Sequence, residues 1–135
     1  MRAASPLDAA ILPDYGGGSI ANLMCSIAAA FGVPHAACPP LRDALPALAR
    51  RSHLVLVVVD GLGYHHLMRG AAASTLARHA QRSLTSVFPS TTASAITTFL
   101  TGATPAEHGL IGWHMYLDEI DAIAAVLPFQ LRGND

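Results

Sequence analysis

Asp60 stands at the end of a six-residue apolar run, Leu54-Val55-Leu56-Val57-Val58-Val59, and is followed by Gly61-Leu62-Gly63. A carboxylate there can hold a divalent metal or move a proton, and the two glycines let the backbone turn closely around it. An Asp in that position also caps helices well. The glycines are not a dinucleotide fingerprint, because His66 stands where the third glycine belongs, and no Gly-Lys-Ser/Thr follows to make a phosphate loop. A second cluster, Phe88-Pro89-Ser90-Thr91-Thr92-Ala93-Ser94, sets three hydroxyls in a row where a helix would start. Helix N-termini carry free N–H groups and positive dipole, which suits phosphate. A Thr or Ser hydroxyl is a weak nucleophile until a base or a metal takes its proton, and Asp60 is a candidate to bring either. The bland alternative is ordinary Ser/Thr capping. The third element is Thr101-Gly102-Ala103-Thr104-Pro105-Ala106-Glu107-His108-Gly109. His108 in it is a candidate ligand or base, though such a residue more often orders its loop by hydrogen bonding. His65 and His66 begin the segment after Asp60, but adjacent residues on a helix face different ways. His35, His53, His79 and His114 read as surface or loop residues.

Positioning these groups requires an alternating framework. Ser19 can cap a helix from about Ile20 to Phe31, stopped by Gly32 and Pro34. A short helix is expected near Leu41–Arg50. The run Leu54–Val59 has no polar alternation, as in a strand buried on both faces of a parallel sheet. A helix over Ala71–Gln81, a strand over Leu84–Phe88 and a helix over Thr92–Leu100 follow, the last with Gly102 at its C-terminal cap. Leu110–Leu117 is a candidate further strand, broken by Gly112, and Ala122–Leu127 is another short apolar run. Strands alternating with helices predict an α/β fold, a mostly parallel sheet flanked by helices. Ligands in such sheets bind at the carboxyl ends of the strands, where Asp60 and the Thr91–Thr92 pair fall.

The chain has 135 residues, 52% of them apolar and only 13% charged, with a net charge of -1. That length suits one domain, and the charge is about half the usual fraction. No basic footprint calls for nucleic acid. The apolar stretch Ile20–Val33 is shorter than the roughly 20 residues a membrane span needs, and no signal peptide is evident, so a cytoplasmic location is expected. Cys25 and Cys38 form no metal or redox motif and read as buried, reduced thiols.

Three motifs in order, Val57-Val58-Val59-Asp60-Gly61-Leu62-Gly63, Phe88-Pro89-Ser90-Thr91-Thr92, and Thr101-Gly102 through Pro105 to Glu107-His108-Gly109, resemble the type I phosphodiesterase/nucleotide pyrophosphatase family of the alkaline phosphatase superfamily. The resemblance covers about residues 54–115. It implies an alkaline-phosphatase-like α/β fold and two divalent metal ions, commonly zinc, at the strand ends. Asp60 falls on the family's first metal-binding Asp. The pattern Pro-x-x-Thr puts the nucleophile, also a metal ligand, at Thr92, with Thr91 as the fallback and a phosphate-binding neighbour. Gly61, Gly63, Gly102, His108 and Gly109 take structural places around the site. Trp113 stands at the substrate-side position where these enzymes often carry an Asn that holds a phosphoryl oxygen. The implied substrate is a small phosphorylated or nucleotide compound whose phosphodiester or pyrophosphate bond is cleaved. A phosphomonoesterase or phosphonate hydrolase of the same superfamily is the alternative enzyme, and a non-catalytic anion-binding domain the alternative without turnover.

In the family the remaining metal ligands lie later in the chain. Residues 1–135 are therefore expected to be the N-terminal part of one catalytic domain, incomplete at the C-terminus, with weak metal binding and little turnover alone. The shortage of charge then marks surface to be covered by the missing part or by self-association. An exposed apolar sheet edge or face is expected, with Asp60 and Thr92 together at its rim.

Overall fold

A computed structural model describes residues 10–33, 38–43, 45, 48 and 52–132. Helix α1 spans Ile20–Ala30. Ser19 caps it through a reciprocal box: the Asn22 N–H donates to the Ser19 hydroxyl, and the Ser19 N–H donates to Asn22 Oδ1 at 2.9 Å. The amide of Asn22 is fully buried, yet it donates to the carbonyls of Tyr15 and Pro39 at 2.8 and 2.7 Å. A buried amide is tolerated only when satisfied in this way, so Asn22 welds the turn before α1 to the chain that returns after it. The helix expected near Leu41–Arg50 lies largely outside the described residues.

Helix α2 is Tyr64–Gly70 and α3 is Thr75–Arg78, a single turn where a helix over Ala71–Gln81 was expected. Helix α4 is Thr92–Thr101, ended by Gly102 at φ 73°, a left-handed cap that glycine adopts without a Cβ clash. Helix α5 is Pro105–His108, with a capping box between Thr104 and Glu107. Strands β1 (His114–Leu117), β2 (Ala122–Ala125) and β3 (Gln130–Leu131) form an antiparallel sheet in the order β1-β2-β3, with His114 opposite Ala125 and Leu117 opposite Ala122.

The expected parallel sheet is not present among the described residues. Its parallel pairing is limited to one bridge, Ser19 with Thr85, made by the Thr85 N–H to Gly18 O and the Ile20 N–H to Thr85 O. Leu54–Val59 forms no ladder and is exposed throughout. Its exposure still alternates, 37, 84, 42, 74, 40 and 56% along the run, the period-2 signature of extended chain. A strand buried on both faces needs neighbours on both edges, and no described segment supplies them here. The apolar content was read correctly; the burial it should earn is missing.

Among the described residues, Ala21, Cys25, Cys38 and Val87 form a core cluster, with Tyr15, Ile20 and Ala95 packed at its margin. Cys25 and Cys38 are buried but not reduced; they form a disulfide. Their Cα atoms are 6.6 Å apart, inside the range a bridge can close. The expectation of free thiols fails because the chain after α1 folds back onto it, held by the Leu41 N–H to Ser26 Oγ bond and by Asn22. Among the described residues no helix is long and apolar enough to cross a membrane.

Candidate active site

The segment before α4 is held from behind by the turn that precedes α1. The Asp14 N–H donates to Thr85 Oγ1 at 2.8 Å, and the Phe88 N–H donates to the Tyr15 hydroxyl at 3.0 Å. Val87, only 1% exposed, fixes the same segment in the core. The Phe88–Pro89 peptide is cis, and the chain then enters α4.

Thr91 and Thr92 have different duties there. Thr91 is the N-cap: its Oγ1 accepts from the Ser94 N–H at 3.3 Å, lies 2.9 Å from Ser94 Oγ, and donates to the carbonyl of Ile111. Thr92 opens the helix, and its hydroxyl donates to Asp60 Oδ2 at 3.4 Å. The other oxygen of Asp60 accepts from the Gly61 N–H at 3.0 Å. Gly61 sits at φ 75°, so the tight turn that folds the carboxylate back requires a residue without a Cβ. The N–H groups of Thr92 and Ala93 make no hydrogen bond among the described residues, and the positive end of the α4 dipole falls at Thr92. A cavity of about 450 Å³ opens over the pair, walled by Val58, Val59, Ser86, Ser90, Ile96 and Phe99.

Residues 54–127, more than half of the chain, match the family model of type I phosphodiesterase / nucleotide pyrophosphatase. The chain belongs to this family. No curated protein and no solved structure matches it. The type I phosphodiesterases and nucleotide pyrophosphatases are hydrolases of phosphodiester and pyrophosphate bonds, and an alkaline-phosphatase-like fold goes with membership.

The structure sorts the other residues that the family pattern picked out. His108 is turned into the joint between α4 and α5: its Nδ1 accepts from the Leu110 N–H at 3.0 Å, and its Nε2 lies 3.3 Å from Thr98 Oγ1. With Nδ1 accepting, the neutral ring carries its proton on Nε2. Burial lowers the His108 pKa below 6.5, outweighing the upward pulls of the Ser94 carbonyl and the Glu107 carboxylate. Gly109 caps α5 at φ 73°. Trp113 is half-exposed, its carbonyl accepts from the Val126 N–H, and it does not line the Asp60–Thr92 cavity. Gly63 is the N-cap of α2. Sequence reasoning missed Tyr15 and Asn22, which position the site from behind. Only a capping Ser19 followed three residues on by an amide hinted at them.

The two metals that the sequence resemblance implies would find only part of a ligand set here. Asp60 offers one carboxylate and Thr92 one hydroxyl, while a zinc ion takes three or four protein ligands. No group of three or more His, Cys, Asp or Glu able to hold a metal occurs among the described residues. The described residues by themselves do not fit a two-metal centre.

Proposed function

We propose that the chain hydrolyses phosphodiester or pyrophosphate bonds with Thr92 as its nucleophile. One observation supports this most: of two adjacent threonines, Thr91 is spent on capping, and Thr92 alone points its hydroxyl at a carboxylate. In the proposed reaction Thr92 Oγ attacks phosphorus in line with the leaving oxygen. Its proton leaves to water, the P–O bond to the leaving group breaks, and the leaving oxygen takes a proton from solvent, while Asp60 stays ionised beside the reacting oxygen. The free N–H groups at the start of α4 face the developing phosphoryl charge. Water then cleaves the covalent phosphoryl- or nucleotidyl-threonine and restores the hydroxyl.

Metal dependence belongs to the same proposal. Divalent ions, zinc first, would take Asp60 and Thr92 as ligands together with groups that are not among the described residues. The proposed substrate is a small phosphorylated or nucleotide compound. The Cys25–Cys38 bond favours an oxidising compartment over the cytoplasmic one that the sequence suggested, because disulfides persist mainly in such compartments.

The test is hydrolysis of bis(4-nitrophenyl) phosphate with added zinc, with 4-nitrophenyl phosphate run beside it. Loss of all turnover in Thr92→Ala supports the proposal. Turnover unchanged both in Thr92→Ala and after chelation overturns it, and faster cleavage of the monoester moves the assignment to a phosphomonoesterase.

A further inference from the structure

A second and larger cleft, about 720 Å³, adjoins the Asp60–Thr92 cavity and shares Ser86 and Ser90 with it. That volume is ample for a small ligand. Two arginines line it, and they are in different states. Arg42 is satisfied: its Nη2 lies 3.1 Å from both carboxylate oxygens of Asp14 and also donates to the Gly16 carbonyl. Arg82 is not. Its side chain is only 28% exposed, and its one ionic partner among the described residues is Asp43 at 3.8 Å, beyond hydrogen-bond distance. No hydrogen bond from its guanidinium occurs among the described residues. A guanidinium carries five N–H donors in a fixed fork, and covering it without filling the fork is costly. Asp43 is 81% exposed, so its hold on Arg82 is weak and screened by solvent. His65 lines the same cleft and adds a ring N–H donor.

We propose that this cleft is a binding site for a second anionic group of the substrate, with Arg82 as the residue that recognises it. The inference rests on the reading of Thr92 as nucleophile: because the two cavities share Ser86 and Ser90, the proposal assigns the departing part of a substrate held at Thr92 to the Arg82 cleft. The fork and charge of Arg82 fit a phosphoryl group, which takes two parallel charge-assisted hydrogen bonds and displaces Asp43. Substrates with a phosphoryl-bearing leaving group are thereby favoured over diesters whose leaving group is uncharged. Lysine keeps the charge but not the fork, so Arg82→Lys is an intermediate case.

Isothermal titration of inorganic pyrophosphate into the 135-residue chain tests the site without requiring turnover. Arg82→Gln is expected to weaken binding at least tenfold, Arg82→Lys less, and Arg132→Gln, which removes an equal charge elsewhere, not at all. Pyrophosphate is also expected to protect Arg82 of the unaltered chain from phenylglyoxal, read by mass spectrometry, which gives an answer even if Arg82→Gln fails to fold. Equal affinity in Arg82→Gln and the unaltered chain, or no protection, overturns the proposal. Its failure is separable from that of the nucleophile: Thr92→Ala removes turnover while leaving pyrophosphate affinity within twofold if both hold. Loss of the Arg82 effect with Thr92 dependence intact rejects only the cleft.

Discussion

Thr92 and Asp60 come from two regions built very differently. Thr92 opens a helix whose approach is locked by Val87 in the core, by the Tyr15 hydroxyl and by the parallel bridge between Thr85 and Ser19. Asp60 ends a six-residue apolar run that touches no ladder and lies exposed. The nucleophile is thus carried by the consolidated half of the molecule and its carboxylate partner by the unconsolidated half. Their 3.4 Å contact is long for an O–H···O bond, as expected when one partner lacks a rigid support. Apolar sequence alone does not bury a strand; a neighbour on each edge does.

The largest effect expected from this contrast is a charge placed in each region. Val87→Asp puts an unpaired carboxylate into the core and is expected to unfold the chain, a cost above about 4 kcal/mol. Val57→Asp, at 74% exposure, is expected to shift stability by no more than about 0.5 kcal/mol. Urea unfolding of the two variants checks this, and equal destabilisation would break the contrast by showing that the run is consolidated in solution.

The disulfide comes next. It closes a 13-residue separation and ties the chain carrying Leu41 and Arg42 to α1. Cys38→Ser is expected to cost about 3 kcal/mol, the scale for a loop of this length. Thermal melts with and without reductant should reproduce the variant's loss in the unaltered chain. Insensitivity to reductant would mean that the thiols are free, as the sequence suggested. A smaller effect is expected at the cap: Thr91→Ala removes the bond to the Ser94 N–H and should cost about 1 kcal/mol. Because Thr92 precedes the rest of α4, that loss should also lower turnover without abolishing it, sharpening the division between a capping and a reacting threonine.

The legible parts of the sequence were those with local physics. Ser19, Thr91 and Gly102 bracket α1 and α4 within a residue of the reading, because capping is decided by the few residues around it. The proximity of Asp60 and Thr92 was foreseeable from motif order. What failed was non-local. The polarity of an extended run says nothing about which edges will be filled, so Leu54–Val59 was read as the best-buried strand and is open. Of the antiparallel β1-β2-β3 sheet, β1 falls inside the candidate strand Leu110–Leu117, while β2 was read only as an apolar run and the antiparallel pairing was missed, since pairing direction depends on the turn at Asp118–Asp121 and not on strand composition. The Cys25–Cys38 bond was missed because nothing between those residues shows that the chain reverses onto α1.

The mildest test of the consolidated half is pH. His108 joins α4 to α5 in its neutral form, and burial holds its pKa below 6.5. The unfolded chain therefore takes up the proton first as pH falls. The stability that His108 contributes is fully present above pH 6.5 and is lost as pH drops through the lowered folded value. Protonation also puts a hydrogen on Nδ1, where the Leu110 N–H now donates, so two donors would face each other. His108→Gln keeps a group able to hydrogen-bond but cannot take up a proton. Between pH 7.5 and 5 the unaltered chain should lose more urea stability than His108→Gln, and the difference between the two curves isolates this residue from the carboxylates that titrate in both. Parallel curves would place His108 outside the load path between the helices and leave Thr98, fully buried on α4, to hold that joint by packing alone.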